Sequence, residues 1–150
     1  MKKIIPVAIL LLFSNLLFAQ IQNPVSWSAT SKKIDSKTYE IHLTANIDKG
    51  WHIYSQTTAE GGPIPTNISF TKNPLVTLKD SVKEAGKLEE HFEPLFGIDV
   101  KQFSNNVDFV QVVKLKAPVK TSVNVAVEFM VCNDKQCLPP SVKKFSVALK

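Results

Sequence analysis

The 150-residue chain carries a formal charge of +5, and every one of its 18 basic residues is lysine. Nucleic-acid and phosphate readers depend on the bidentate fork of arginine, so this mild basicity describes a solvated surface and argues against a nucleic-acid partner. The two cysteines, Cys132 and Cys137, lie close together near the C-terminal end.

At the N-terminus, Lys2 and Lys3 precede an apolar run from Ile4 to Phe18 that ends at Ala19. A basic start, an apolar middle and a small residue at the end are the pattern of a cleaved export signal. The run is shorter than the roughly 20 residues a membrane span needs, and no cysteine near the cut suggests a lipid anchor. The expected product is residues 20–150, a single exported domain without membrane insertion. Loss of the two signal lysines lowers its charge to +3. Export also places the cysteines where disulfides persist.

The mature chain reads as all-β. From Thr38 to Ile47, Tyr39, Ile41, Leu43, Ala45 and Ile47 alternate with polar residues, the period-2 mark of a strand with one buried face. Thr66 to Phe70 and Leu75 to Leu78 are shorter candidates. Asp80 to Asn106 is the least strand-like stretch, and a loop that long in a compact domain is commonly functional. Val107 to Lys116 resumes the strand pattern. In Ser122 to Cys132, Val123, Val125, Val127, Phe129 and Val131 take the inward parity, which puts Cys132 on the outward one. Lys144 to Leu149 is the last candidate. Gly50, Gly61-Gly62-Pro63, Asn73-Pro74 and Asn105-Asn106 punctuate the series. Six to eight short strands in about 130 residues predict an immunoglobulin-like β-sandwich. Trp27 and Trp51 are read as core or edge packing.

Cys132-Asn133-Asp134-Lys135-Gln136-Cys137 fits a hairpin with a four-residue loop, rich in turn formers. Facing residues in such a hairpin have α-carbons about 4.5–5.5 Å apart, within disulfide range. A ring of about six residues is worth roughly 2 kcal/mol in the loop-entropy model, the low end for disulfides. Lys135 favours a thiolate, while Asp134 and Glu128 oppose it. Pro139-Pro140 removes two backbone donors just after Cys137 and interrupts strand pairing there. Spacing and compartment leave two readings open: an exchange site, or a structural disulfide closing a hairpin on a non-catalytic binding module. His42 falls on a polar strand face, where a solvated histidine is expected, and His91 falls in the long loop. No histidines have zinc-ligand spacing; a soft Cu(I) pair at the cysteines near Met130 is the remaining metal alternative.

Three blocks in order and spacing carry a resemblance: Gly50-Trp51-His52-Ile53-Tyr54-Ser55-Gln56, Gly61-Gly62-Pro63-Ile64-Pro65-Thr66, and Cys132 through Pro140. With them the chain, from about Pro24 to Ala148, resembles the N-terminal periplasmic domain of the thiol–disulfide interchange protein DsbD, in its stand-alone Bacteroidetes-type form. The resemblance implies an immunoglobulin-like fold and a redox-active disulfide in place of any cofactor. It implies a protein-disulfide reductase component in the periplasm. Reducing equivalents would arrive from a thioredoxin-like domain fed by a membrane electron transporter. They would leave to oxidised periplasmic thiol proteins, such as disulfide isomerases and cytochrome c maturation factors.

Residue by residue, Cys137 matches the cysteine that forms mixed disulfides, and Cys132 the resolving cysteine. Glu93-Pro94-Leu95-Phe96-Gly97 is the candidate cap loop, with Phe96 the shield, Leu95 the alternative shield and Gly97 the hinge. Tyr54 matches an aromatic residue beside the cysteines. His52 stands where other members have tyrosine, and Pro139 flanks the site. The cysteine loop is one residue shorter than in the best-known proteobacterial form. As no transporter or thioredoxin-like module is attached, the relay is expected to act in trans.

Overall fold

The structure, a computed structural model, describes residues 22–94 and 96–150. The expected signal segment and Leu95 lie outside the described residues. The nine strands are β1 (Val25–Lys33), β2 (Thr38–Ile47), β3 (His52–Tyr54), β4 (Asn67–Phe70), β5 (Val76–Glu93), β6 (Ile98–Leu115), β7 (Thr121–Phe129), β8 (Val131–Cys132) and β9 (Ser141–Leu149). No helix occurs among the described residues. One sheet has the order β1-β2-β6-β3-β8, with β5 also paired to β6; the other has the order β4-β7-β9. All pairings are antiparallel. The architecture is an immunoglobulin-like β-sandwich.

The alternation read from the sequence sets the main core. Ile41, Leu43, Phe109, Val107 and Val113 of the first sheet are fully buried, as is Val127 of the second. Trp27 packs on Phe109 and Phe129, with ring centroids 5.8 and 5.2 Å apart. Burying a Leu, Ile or Phe side chain contributes about 1.5–3 kcal/mol, so these facing positions supply most of the drive to fold. Hydrogen bonds close the open end of the layers: Ser31 Oγ donates to Ala148 O, and Tyr39 OH to Lys150 O.

Asp80 to Asn106, expected as a loop, is instead most of a long β5–β6 hairpin. Two bulges hide it from a periodicity reading. Between Lys79 and Lys83 the extra residues lie on β5, where Asp80 has φ 56°. Between Gly86 and Leu88 they lie on β6, where Asn105 has φ 66°. Each bulge inserts two residues that pair with nothing across the ladder, so the regular pattern is interrupted twice. The second bulge has a purpose in the topology: β6 pairs β2 from Asn106 onward and β3 from Ser104 backward. At Gly86 the chains approach so closely that a Cβ would sit 3.1 Å from Asn106 O.

The strand expected to run unbroken from Ser122 to Cys132 also divides. It leaves the second sheet after Phe129, and Val131–Cys132 joins the first sheet beside β3. Both residues of this short edge strand are buried.

Candidate functional site

The strand switch decides where the sulfurs go. Cys132 keeps the outward parity expected of it: Val131 packs in the main core, whereas Cys132 lies on the opposite face of the first sheet. It is still only 1% exposed, because Tyr54, Val100, Ile98 and Met130 pack around it. Asn133 N–H donates to Gln136 O, and the Asn133 Oδ1 carboxamide oxygen accepts from the N–H groups of Lys135 and Gln136. The resulting turn returns Cys137 opposite Cys132 in a single antiparallel bridge. The two are joined as a disulfide, with α-carbons 4.0 Å apart. Cys137 is exposed. After it, Leu138 N–H donates to Val131 O, and exposed Pro139 and Pro140 separate the bridge from β9.

One outer face of the first sheet carries the surroundings of this pair. His52 is the direct cross-strand partner of Cys132 on one side and of Ser104 on the other. Facing residues project on the same side of a sheet, as do alternate residues of one strand. The face therefore gathers His52 and Tyr54 of β3, Val100, Gln102 and Ser104 of β6, and Glu89, His91 and Glu93 of β5. Tyr54, Val100 and Cys132 form a small buried cluster here, flanked by Ile98 and Met130 and separate from the main core. His52 Nε2 lies 3.1 Å from Tyr54 OH, with the rings edge-on. Burial, reinforced by Glu93, pushes the Tyr54 phenol up to about 12, so it stays un-ionised. Burial first, then His91, holds His52 below its ordinary value, while Asp134, Glu93 and Glu89 pull the other way.

These cysteines, their turn and the sandwich that holds them decide the family. Residues 22–149 match the family described as thiol:disulfide interchange protein DsbD, N-terminal. The chain belongs to this family. No curated protein sequence matches the chain. Among solved structures, it is similar to the N-terminal periplasmic domain of ScsB from Proteus mirabilis, with TM-score 0.53 and 18% identity. That match covers 83% of this chain and 44% of the other, so the chain spans under half the length of that relative. It is similar to the reduced N-terminal domain of DsbD from Neisseria meningitidis, with TM-score 0.51 and 13% identity, covering 75% and 85%. It is also similar to a structure of the complex between the DsbD and PilB N-terminal domains from the same organism. There the TM-score is 0.50 and the identity 12%, covering 85% and 87%. These likenesses show the fold.

Within this DsbD N-terminal domain, the structure brings together Cys132, Cys137, His52 and Tyr54. The expected cap is the tip of the β5–β6 hairpin. Phe96 and Gly97 donate backbone N–H groups to Glu93 O, and Gly97 has φ 69°, a left-handed turn that suits glycine. Phe96 is 36% exposed and lies against the Gly61-Gly62 turn, where a Cβ on Gly62 would sit 3.5 Å from its Cβ and 2.6 Å from Ile98 Cδ1. Loop 55–57 is tied to β5 through Glu84, whose carboxylate accepts from Ser55 Oγ, Gln56 N–H and Gln56 Nε2.

Periodicity missed Glu89, His91, Glu93, Gln102 and Ser104, because they lie on strands read as loop. His91 is on β5, not in a loop. His42, expected to be solvated, is held by Asp108, with Nδ1 2.6 Å from Oδ2. Among the described residues, no group of three or more His, Cys, Asp or Glu could hold a metal ion. No helix among them is long and apolar enough to cross a membrane. The open groove lined by Ser69, Asn124, Lys144 and Ser146 on the second sheet contains no cysteine, histidine or carboxylate.

Proposed function

We propose that residues 20–150 act as an exported thiol–disulfide interchange domain in the periplasm, after removal of residues 1–19. The domain takes reducing equivalents from a thioredoxin-like domain or a membrane electron transporter and passes them to oxidised periplasmic thiol proteins, cytochrome c maturation factors among them. The observation that carries this reading is the asymmetry of the disulfide: Cys137 is exposed while Cys132 is 1% exposed. A partner can reach only the outer sulfur, which suits Cys137 as the residue that forms mixed disulfides. Cys132, held behind it, suits the resolving role. The complex between the DsbD and PilB N-terminal domains of the Neisseria relative supports a protein partner of this kind.

The chemistry needs no cofactor. The Cys137 thiolate attacks a partner disulfide, and Cys132 then attacks Cys137 Sγ and releases the reduced partner. Pairing of the Cys137–Leu138 segment with β8 ends at Pro139 and Pro140, which have no backbone N–H to donate, so no further ladder is built from β8 beyond Leu138. The hairpin tip is the cap, with Phe96 as its aromatic and Gly97 as its pivot. The turn at Asn133 supplies its own hydrogen bonds, so a staple worth roughly 2 kcal/mol is a weak reason for the bond.

The test is the equilibrium reduction potential of Cys132–Cys137, titrated against glutathione and dithiothreitol. A relay gives a value in the exchange-protein range of about −120 to −270 mV. A bond that resists reduction to below about −300 mV identifies a structural disulfide and removes the exchange mechanism.

A further inference from the structure

The relay as described leaves the proton on Cys132 without a destination. A buried thiol is held in its neutral form, yet only the thiolate attacks a disulfide. Cys132 is 1% exposed, so bulk water has little access to it. Its direct cross-strand partner is His52, itself 9% exposed. Facing residues on one side of a sheet hold their Cβ atoms about 4.5–5.5 Å apart, within reach of an imidazole and a thiol.

We propose that His52 is the base that takes the proton of the Cys132 thiol as the Cys132–Cys137 disulfide closes, and returns it when that disulfide is opened. This rests on the exchange reading above. The groups facing His52 fit the task. From its own strand, Tyr54 OH lies 3.1 Å from Nε2 and fixes the ring. From β6 come Ser104 and Gln102, from β5 Glu89, His91 and Glu93, and from the turn after β8 Asp134. Burial and His91 keep the imidazole neutral and able to accept at neutral pH, and the three carboxylates favour the imidazolium once it forms. Tyr54, held un-ionised, does not compete as a base.

The step balances. Cys137 thiolate attacks one sulfur of a partner disulfide, forming a mixed disulfide and expelling the other partner sulfur as thiolate. The Cys132 thiol then passes its proton to His52, and its sulfur attacks Cys137 Sγ. The bond to the partner breaks and its second thiolate leaves. The partner disulfide is reduced by two electrons, the cysteine pair is oxidised by two, and the imidazolium releases its proton to solvent.

The experiment mixes reduced domain with 5,5′-dithiobis(2-nitrobenzoate) in a stopped-flow instrument. A first, reagent-dependent release of thionitrobenzoate reports Cys137; a second, reagent-independent release reports closure by Cys132. With a neutral pair exchanging one proton, the closure rate of the native domain is flat between about pH 7 and pH 8. In His52→Gln it falls at least about tenfold at pH 7 and climbs about tenfold per pH unit. The first phase changes by less than about twofold. A native closure rate that itself climbs about tenfold per unit overturns the proposal, with no variant needed. So does a His52→Gln profile parallel to the native one, and His52→Tyr repeats the test if the glutamine variant does not fold. Absence of any second release from the native domain overturns the exchange reading itself, a different failure.

Discussion

The two buried clusters of this domain are built on different rules. Between the sheets, Ile41, Leu43, Val107, Phe109 and Val127 make an apolar core. On the outer face of the first sheet, Tyr54, Val100 and Cys132 are equally buried, but His52 is beside them and Glu89, His91 and Glu93 share their face. The first cluster holds the layers together. The second holds a sulfur away from water while keeping proton donors and acceptors close. Under the proposed exchange mechanism, burial serves stability in one and chemistry in the other.

The sharpest way to separate them is through the cysteines. Cys132→Ala should accumulate mixed disulfides through Cys137, and Cys137→Ala should capture none, as read on non-reducing gels. Equal behaviour of the two would break the assignment of roles. Next in size, Phe109→Ala should cost about 3–5 kcal/mol of stability in a denaturant titration, without moving the reduction potential. A shifted potential would show that the clusters are coupled.

Of the two clusters, acid should act on the outer one. His52 has a folded-state value below the ordinary 6.5, so the unfolded chain binds more protons between the two values and stability rises with pH across that window. The contribution is complete above about pH 6.5 and is lost as pH falls through the depressed value. His52→Tyr should flatten that slope in unfolding midpoints measured from neutral to acid pH, and an unchanged slope would place the titration elsewhere. The smallest effect belongs to the cap: Phe96→Ala should change stability by about 0.5 kcal/mol or less and speed alkylation of the reduced cysteines a few-fold. No change in alkylation would remove Phe96 from the cap.

How much was legible follows the same division. Ile41 to Ile47 and Val123 to Phe129 announced their strands because one face meets a dry core and the other meets water. The cysteine turn was legible too, since Asn133 and Asp134 are turn formers. The β5–β6 hairpin was not. Asp80 and Asn105 interrupt the ladder with positive φ, and each bulge inserts unpaired residues into the pattern that periodicity relies on.

Parity places Cys132 on the outer face, opposite Val131 in the core, but says nothing of its burial, which comes from Tyr54, Val100 and Met130 packed around it. The sequence by itself determined the sandwich, the apolar core and the pairing of two nearby sulfurs, all properties of local pattern and short loops. Only the tertiary structure decided which sulfur is hidden, and that His52, some eighty residues away, faces it. That pairing depends on β8 crossing to β3, a long-range contact that no local pattern encodes.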